Sequence, residues 1–308
     1  MQERTLITPY RGMEFVIGYR SQTEWRWLMA IAFATGGMGA GLFILSVFMN
    51  DLVMGMMVGW LIVAVIKGGA HLLFLGHPLR IFYAFRAPKL SWISRGFIAT
   101  FAFLIFGGLY IISFFPWFAW LPWASGAGWL GETFKYIAIV CGAVVMVYTA
   151  LVMAQPSAIP FWNNSLLPVL FIGVGLAGGV ALLLLMYPFV GAAALDVYFI
   201  EMLGRILIST NLVLLMFYLL TVFKGPLAAQ ESVRILLYKG GGLSAIFDVL
   251  VLGLGLIAPL AIVFYVYFSQ PSGSGLYNLV AAAALLEVTG SFFLRFCFLR
   301  AGVNNPVY

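Results

Sequence analysis

Residues 166–187 read LLPVLFIGVGLAGGVALLLLMY, without a single charged side chain. An α-helix rises 1.5 Å per residue, so this stretch is about 33 Å long, enough to cross a hydrocarbon core of roughly 30 Å. Lipid offers the backbone no hydrogen-bond partner, so such a stretch must satisfy itself as a helix. Seven further stretches of the same kind lie on either side, at 27–49, 52–75, 96–117, 130–154, 198–222, 245–268 and 276–299. They are called spans 1 to 8 in chain order, with 166–187 as span 5. Of the 308 residues, 64% are hydrophobic and 8% are charged, against about 25% charged in a soluble domain. The expected fold is an all-α membrane protein of eight transmembrane helices. Short connections make neighbouring helices antiparallel and leave no sizeable soluble domain. The first 26 residues carry scattered charge and no apolar core, unlike a cleavable leader. Span 1 is expected to act as its own membrane signal.

The charge that remains is placed unevenly. The side receiving the N-terminus, the loops after spans 2, 4 and 6 and the C-terminus (side A) collects Arg4, Arg11, Arg20, Arg26, Arg80, Arg86, Lys89, Arg95, Lys224, Arg234, Lys239, Arg295 and Arg300. The opposite face, side B, has Lys135 and Arg205. The net charge of +6 is thus split among helix-flanking loops. That distribution argues against nucleic acid and reads as a topology signal placing side A and both termini in the cytoplasm, on an inner cell membrane. A basic face can equally be a docking surface for an acidic partner. Trp25, Trp27 and Trp92 mark one headgroup level and Trp117, Trp120, Trp123 and Trp129 the other. The apolar stretch 115–131 is expected to lie along the side B surface.

The chain repeats itself. Gly37 and Gly41 in span 1 recur as Gly175 and Gly179 in span 5, 138 residues on, each pair a small-xxx-small motif that lets helix backbones approach closely. The same offset carries Lys67 of span 2 onto Arg205 of span 6. Four spans per half makes this a parallel repeat and suggests two four-helix bundles, 1–160 and 161–308.

Ionisable groups inside a bilayer cost about 2.5–3.5 kcal/mol on insertion scales and usually have a use. Lys67 and His71 are one turn apart on one face of span 2, in its side A half. Glu287 lies near the middle of span 8, as a proton-relay group or as the counter-charge of Lys67. Arg295 follows two turns later and reads as an arginine snorkelling to the interface. Asp248 opens span 7, where it suits the helix dipole. Glu201 and Arg205 are spaced for an i,i+4 pair on span 6. Glu287, Asp248, Glu201 and Arg205 are the candidates for a proton pathway. Cys141 and Cys297 read as small core residues, and two thiols do not hold an iron–sulfur cluster. His71 and His77 are the chain's two histidines. His77, between Gly76 and Pro78, falls at the end of span 2 or beyond, so the pair cannot clamp a haem across a bundle. The expectation is no haem, no metal and no catalytic nucleophile in this chain.

The loop after span 2, LGHPLRIFYAFRAPKLSWISRG (75–96), resembles the signature loop of the NrfD-like, or polysulfide-reductase-type, membrane subunits: a Gly-x-Pro-x-Arg start and a Ser-Trp-x-x-Arg-Gly end. LLEVTGSFFLRFCFLRAGV (285–303) resembles the family's last helix, and YTALVMAQPSAIPFWN (148–163) the end of its fourth. The resemblance covers nearly the whole chain. It implies a fold of two four-helix bundles and a membrane anchor that exchanges electrons between the quinone pool and a four-cluster ferredoxin-like iron–sulfur subunit, commonly alongside a molybdopterin or tungstopterin catalytic subunit. It implies a menaquinone or ubiquinone site in the N-terminal bundle, with Tyr148 at the position of the family's quinone-side tyrosine. The chain departs from the pattern on span 1, where Met29 and Ala32 stand in place of an Asn and a His. Lys67 and His71 are the expected replacements.

A quinone needs an apolar slot for its tail, donors for its carbonyls and a proton source. Tyr148 can donate through its hydroxyl, His71 can donate and titrate near neutral pH, and a cationic Lys67 would favour charge on a reduced quinone. Arg80, Arg86, Lys89 and Arg95 would form the partner-docking face. The alternative is a secondary transporter, supported by the repeat and by Lys67, Glu201, Arg205 and Glu287. Clear proline breaks at equal depth in both halves, which that alternative calls for, are missing.

Overall fold

A computed structural model describes residues 19–126, 128–191, 195–239 and 241–305. Arg4 and Arg11 lie outside the described residues. Among the described residues eight helices are long and apolar enough to cross a membrane: Trp27–Phe48, Val53–Leu75, Trp92–Ile112, Gly128–Ala154, Leu166–Val190, Val197–Phe223, Gly242–Ser269 and Gly273–Ala301. They are spans 1 to 8. The all-α membrane fold is therefore what the structure has, with a two-residue antiparallel pair, β1 (Arg20–Ser21) and β2 (Val303–Asn304), tying the two chain ends together on one face. Gln22 reinforces that tie, donating to the Leu299 and Trp25 carbonyls at 2.7 and 2.8 Å.

Span 3 starts four residues before its expected position and ends five before it. Pro116 disfavours helical backbone at the residue before it, and Phe115 is extended. The chain from Pro116 to Gly126 runs as short 3-10 turns, with Trp117 and Trp120 largely exposed, as a segment lying along side B would.

Spans 1 and 5 are the most enclosed helices, and spans 2 and 6 the least. Span 1 packs on spans 2, 4, 5 and 8, and span 5 on spans 1, 4, 6 and 8. The repeated glycines are why the central pair can approach so closely. A Cβ on Gly41 would stand 2.5 Å from the Gly175 carbonyl oxygen, and one on Gly179 would stand 2.7 Å from the backbone of Gly41. Each motif is thus the wall against which its own repeat packs. No gap in the packing falls at the expected division at residue 160, since spans 1 and 4 both pack on span 5.

The connection between spans 6 and 7 contains a helical segment, Leu227–Arg234 continuing as a π-turn to Lys239. Glu231 pairs with Lys239 and Arg234 at 3.2 and 3.5 Å, and Ser232 accepts from the Val303 backbone at 3.1 Å. The segment therefore carries the β2 end of the chain.

Candidate functional site: a buried lysine, tyrosine and histidine

Span 2 is not a uniform α-helix. Ile62–Lys67 is a π-helical stretch. A π-turn takes in one extra residue, which swings the following face by about 100°. Lys67 closes that turn, and its side chain is 4% exposed. Its Nζ donates to Thr100 Oγ1 at 3.1 Å, and Thr100 sends its own proton to the Gly96 carbonyl at 2.7 Å. The ammonium also lies 5.2 Å from the centroid of the Tyr148 ring. Among the described residues no carboxylate reaches Lys67 within ion-pair distance. Two of its three donors are left for something else.

The tyrosine and histidine complete the group. His71 Nδ1 lies 3.0 Å from the Lys67 carbonyl, which can only accept, so Nδ1 carries the proton. Nε2 of the neutral ring is then an acceptor, 3.5 Å from the Tyr148 hydroxyl. That distance is at the outer edge of hydrogen bonding, so the hydroxyl is weakly held and can turn to another acceptor. Glycines clear the space. A Cβ on Gly96 would overlap the Tyr148 ring, and one on Gly36 would stand 2.8 Å from Lys67 Cδ. The Gly that ends the loop signature is thus the floor beneath Tyr148. Spans 1, 2, 3 and 4 each contribute to one polar cluster, and the three residues expected at the site do come together. Thr100 was missed, because a lone threonine on an apolar span carries no signal until its neighbours are known.

The basic loop splits into two kinds of residue. Arg95 donates to the Pro88 and Lys89 carbonyls at 2.8 Å each and lies 4.4 Å from the Trp92 ring, so it clasps the loop. Arg80, Arg86 and Lys89 are exposed, with Arg86 over Tyr83 at 4.1 Å. Pro78–Phe85 forms a 3-10 helix with no buried residue, on which Leu79, Phe82 and Tyr83 are also exposed. His77 precedes it, exposed and outside span 2.

The second half differs from expectation in several places. Arg295 does not snorkel: it is fully buried, 5.2 Å from the Phe171 ring, because Gly37 of span 1 leaves room for its guanidinium. Glu287 is not the counter-charge of Lys67. It lies among spans 5, 6 and 7, and its Oε1 accepts from Ser291 at 3.1 Å. Glu201 and Arg205 do pair, at 3.4 Å, with the guanidinium 4.1 Å from the Tyr267 ring. Asp248 is exposed in the first turn of the π-helical stretch Phe247–Ile257 of span 7. The match of Lys67 to Arg205 also fails. Span 2 begins at Val53 and span 6 at Val197, 144 residues apart rather than 138, because span 5 is longer than span 1 (25 against 22 residues) and the connection after it is also longer. Counted from the helix starts, the partner of Lys67 is Asn211, which is buried and packs on Gly173 as Lys67 packs on Gly36.

Two residue clusters of the described chain can thus be separated: a cation–phenol–imidazole group in the first half and a polar group around Glu287 in the second. No set of three or more His, Cys, Asp or Glu suited to a metal ion occurs among the described residues. An open groove of about 350 Å³ lies elsewhere, between Ser157, Asn163, Thr221, Pro226 and Asn305. Against this geometry stands one family match: the pattern described as polysulphide reductase, NrfD, covers residues 16–306. Among curated proteins none matches the chain. The eight spans and the signature loop fit that pattern from end to end, and the chain belongs to the NrfD polysulphide reductase family, as a multi-pass membrane subunit of a respiratory oxidoreductase complex.

Proposed function

We propose that this subunit binds a quinone or quinol (menaquinone or ubiquinone) at Lys67, His71 and Tyr148, and passes electrons between it and an iron–sulfur partner of the four-cluster ferredoxin type docked on side A. A molybdopterin or tungstopterin subunit beyond that partner would carry the substrate chemistry. The observation that carries the reading is Lys67. It is a lysine buried inside the bilayer whose Nζ bonds Thr100 and which, among the described residues, has no carboxylate within ion-pair distance. A ligand that gains negative charge supplies the missing counterpart.

The residues fit such a ligand. A quinone supplies two carbonyl acceptors and takes up two electrons and two protons. Tyr148 offers a hydroxyl whose present hold on His71 is weak, and Lys67 offers its free ammonium protons. His71, exposed more than its two neighbours, would first take up a proton at Nε2 from the side A surface and then return it to Tyr148 after the phenol has given its own proton to the ligand. Arg80, Arg86 and Lys89, interleaved with exposed Leu79 and Phe82, give the docking face both charge and apolar contact. Proton movement coupled to turnover would use the second half, where Glu201, Arg205 and Glu287 sit within the spans; exposed Asp248 would be an entry rather than an interior station.

The test uses the intact complex with Tyr148→Phe and Lys67→Met. Quinol-dependent turnover is expected to fall about a hundredfold in each, as when one preorganised donor is removed. Activity of the partner with a soluble dye is expected to stay at wild-type level. Unchanged quinone turnover in both variants overturns the assignment.

A further inference from the structure

The buried face of span 3 is apolar between Ser94, near its side A end, and Tyr110, near its side B end, with one exception, Thr100. Thr100 is 8% exposed and stands among Gly96, Ala99, Phe103 and Gly107. A helical threonine can return its hydroxyl proton to the carbonyl four residues back. Thr100 does so, donating to Gly96 at 2.7 Å. That bond selects one of the two rotamers open to a threonine in a helix. A hydroxyl has one proton, so with that proton committed Thr100 can only accept. Its lone pair meets Lys67 Nζ at 3.1 Å. The direction is therefore fixed: the lysine donates and the threonine accepts.

The lysine needs such a fixed point. Its stem of four carbons is flexible, and an amine on it can reach many places. Three helices remove that freedom. Span 1 takes the stem, where a Cβ on Gly36 would stand 2.8 Å from Cδ and 2.9 Å from Cε. Span 3 takes the head, through Thr100. Span 4 brings the Tyr148 ring, whose centroid is 5.2 Å from Nζ. Gly96 serves two of these contacts at once. Its carbonyl anchors Thr100, and its missing Cβ admits the Tyr148 ring.

We propose that Thr100 is a positioning residue of the quinone site, which holds Lys67 Nζ beside Tyr148 so that amine and phenol are presented to the ligand together. Thr100 acts through the lysine and not on the ligand, because its proton is bound to Gly96 and its lone pair to Lys67. The inference rests on the quinone reading of Lys67 and Tyr148, and it adds the group that aims the lysine.

The test compares two substitutions in the intact complex. Thr100→Val keeps the shape and removes the acceptor, and Thr100→Ser keeps the acceptor. Each is made in the wild type and in Lys67→Met. In Thr100→Val, kcat with quinol is expected to fall about tenfold, the order of one hydrogen bond to a charged group. KM is expected to stay within about twofold, because the misplaced amine fails at charge that develops during the reaction. Thr100→Ser is expected to keep kcat within about twofold of wild type. In the Lys67→Met background Thr100→Val is expected to add nothing, since its effect runs through the lysine. The readout without turnover is the affinity of an inert quinone-site analogue with a negatively charged oxygen, an alkyl hydroxyquinoline N-oxide, titrated by the quenching of its fluorescence. Thr100→Val is expected to weaken it about tenfold and Thr100→Ser to leave it in place. If Thr100→Val matches the wild type in kcat and analogue affinity while Lys67→Met is impaired, the role of Thr100 is overturned and the quinone reading stands. A loss that Thr100→Ser shares, or that repeats in the Lys67→Met background, also overturns it. Wild-type turnover in Lys67→Met removes the quinone reading and this proposal with it. Thr100→Ala takes the place of Thr100→Val if the latter does not assemble.

Discussion

A methyl group at position 96 would occupy the space of the Tyr148 ring, so Gly96→Ala forces the phenol out of its position between Lys67 and His71. Gly69, on span 2 close by, has nothing within 4 Å of a Cβ, so Gly69→Ala supplies the control. A displacement of about 1 Å at a positioned group can cost on the order of a hundredfold in rate. Gly96→Ala is expected to lower quinone turnover of the intact complex by that order, and Gly69→Ala to leave it within about twofold. Equal turnover in the two would mean that the ring's position does not matter. The residue scale is also where the sequence was only half legible. Lys67 and His71 declare themselves, because four residues apart on a helix is one face and a lysine inside a bilayer is costly. Tyr148 came from the resemblance, since one tyrosine among fourteen has no mark of its own. Asn211 drew no notice, although an amide deep in a span is as informative as a charge once its lack of a partner is visible.

At the scale of helices, the glycine pairs decide which spans can touch. Gly255 of span 7 and Gly290 of span 8 meet so closely that a Cβ on either would overlap the backbone of the other. Gly275, at the start of span 8, faces open space. Overpacking costs about 1–3 kcal/mol where side chains can shift, and more where the obstacle is backbone. Gly290→Leu is therefore expected to lower the thermal midpoint of the purified complex by several degrees, and Gly275→Leu to leave it in place. Similar midpoints would mean that this crossing is not under steric control. Hydropathy located all eight spans, because the bilayer constrains length and polarity together. It did not reveal the π-turns, whose extra residue leaves composition unchanged, nor the Leu227–Lys239 segment, which is too short and polar to register as a span. The repeat was visible in its glycines and mistaken in its register, since span 5 and the connection after it are both longer than their counterparts in the first half.

At the scale of the molecule, the open variable is orientation. The β1–β2 pair holds Arg20 and Asn304 on one face, and the exposed cations of the 76–95 loop belong to that face. Arg295 drops out of the charge comparison because it is buried within span 8. Even so, side A keeps Arg20, Arg26, Arg80, Arg86, Lys89, Lys224 and Lys239 near helix ends, while side B has Lys135, bound to Glu132 at 2.6 Å, and Arg205, paired with Glu201 at 3.4 Å within span 6. Short loops rich in Lys and Arg stay in the cytoplasm, and acidic neighbours weigh little in that preference. The same cations serve as the proposed docking face, so orientation and partner location are one question. Cys141 and Cys297 lie within the spans, half-buried and buried, and give little background to thiol labelling. Ser272, exposed between spans 7 and 8, reports side B, and Gln155, exposed after span 4, reports side A. In intact cells a membrane-impermeant maleimide reaching the periplasm is expected to label Ser272→Cys, and Gln155→Cys only after the inner membrane is opened. The reverse pattern would move the iron–sulfur partner to the outer face. The loop charge would then have been set by docking rather than by insertion.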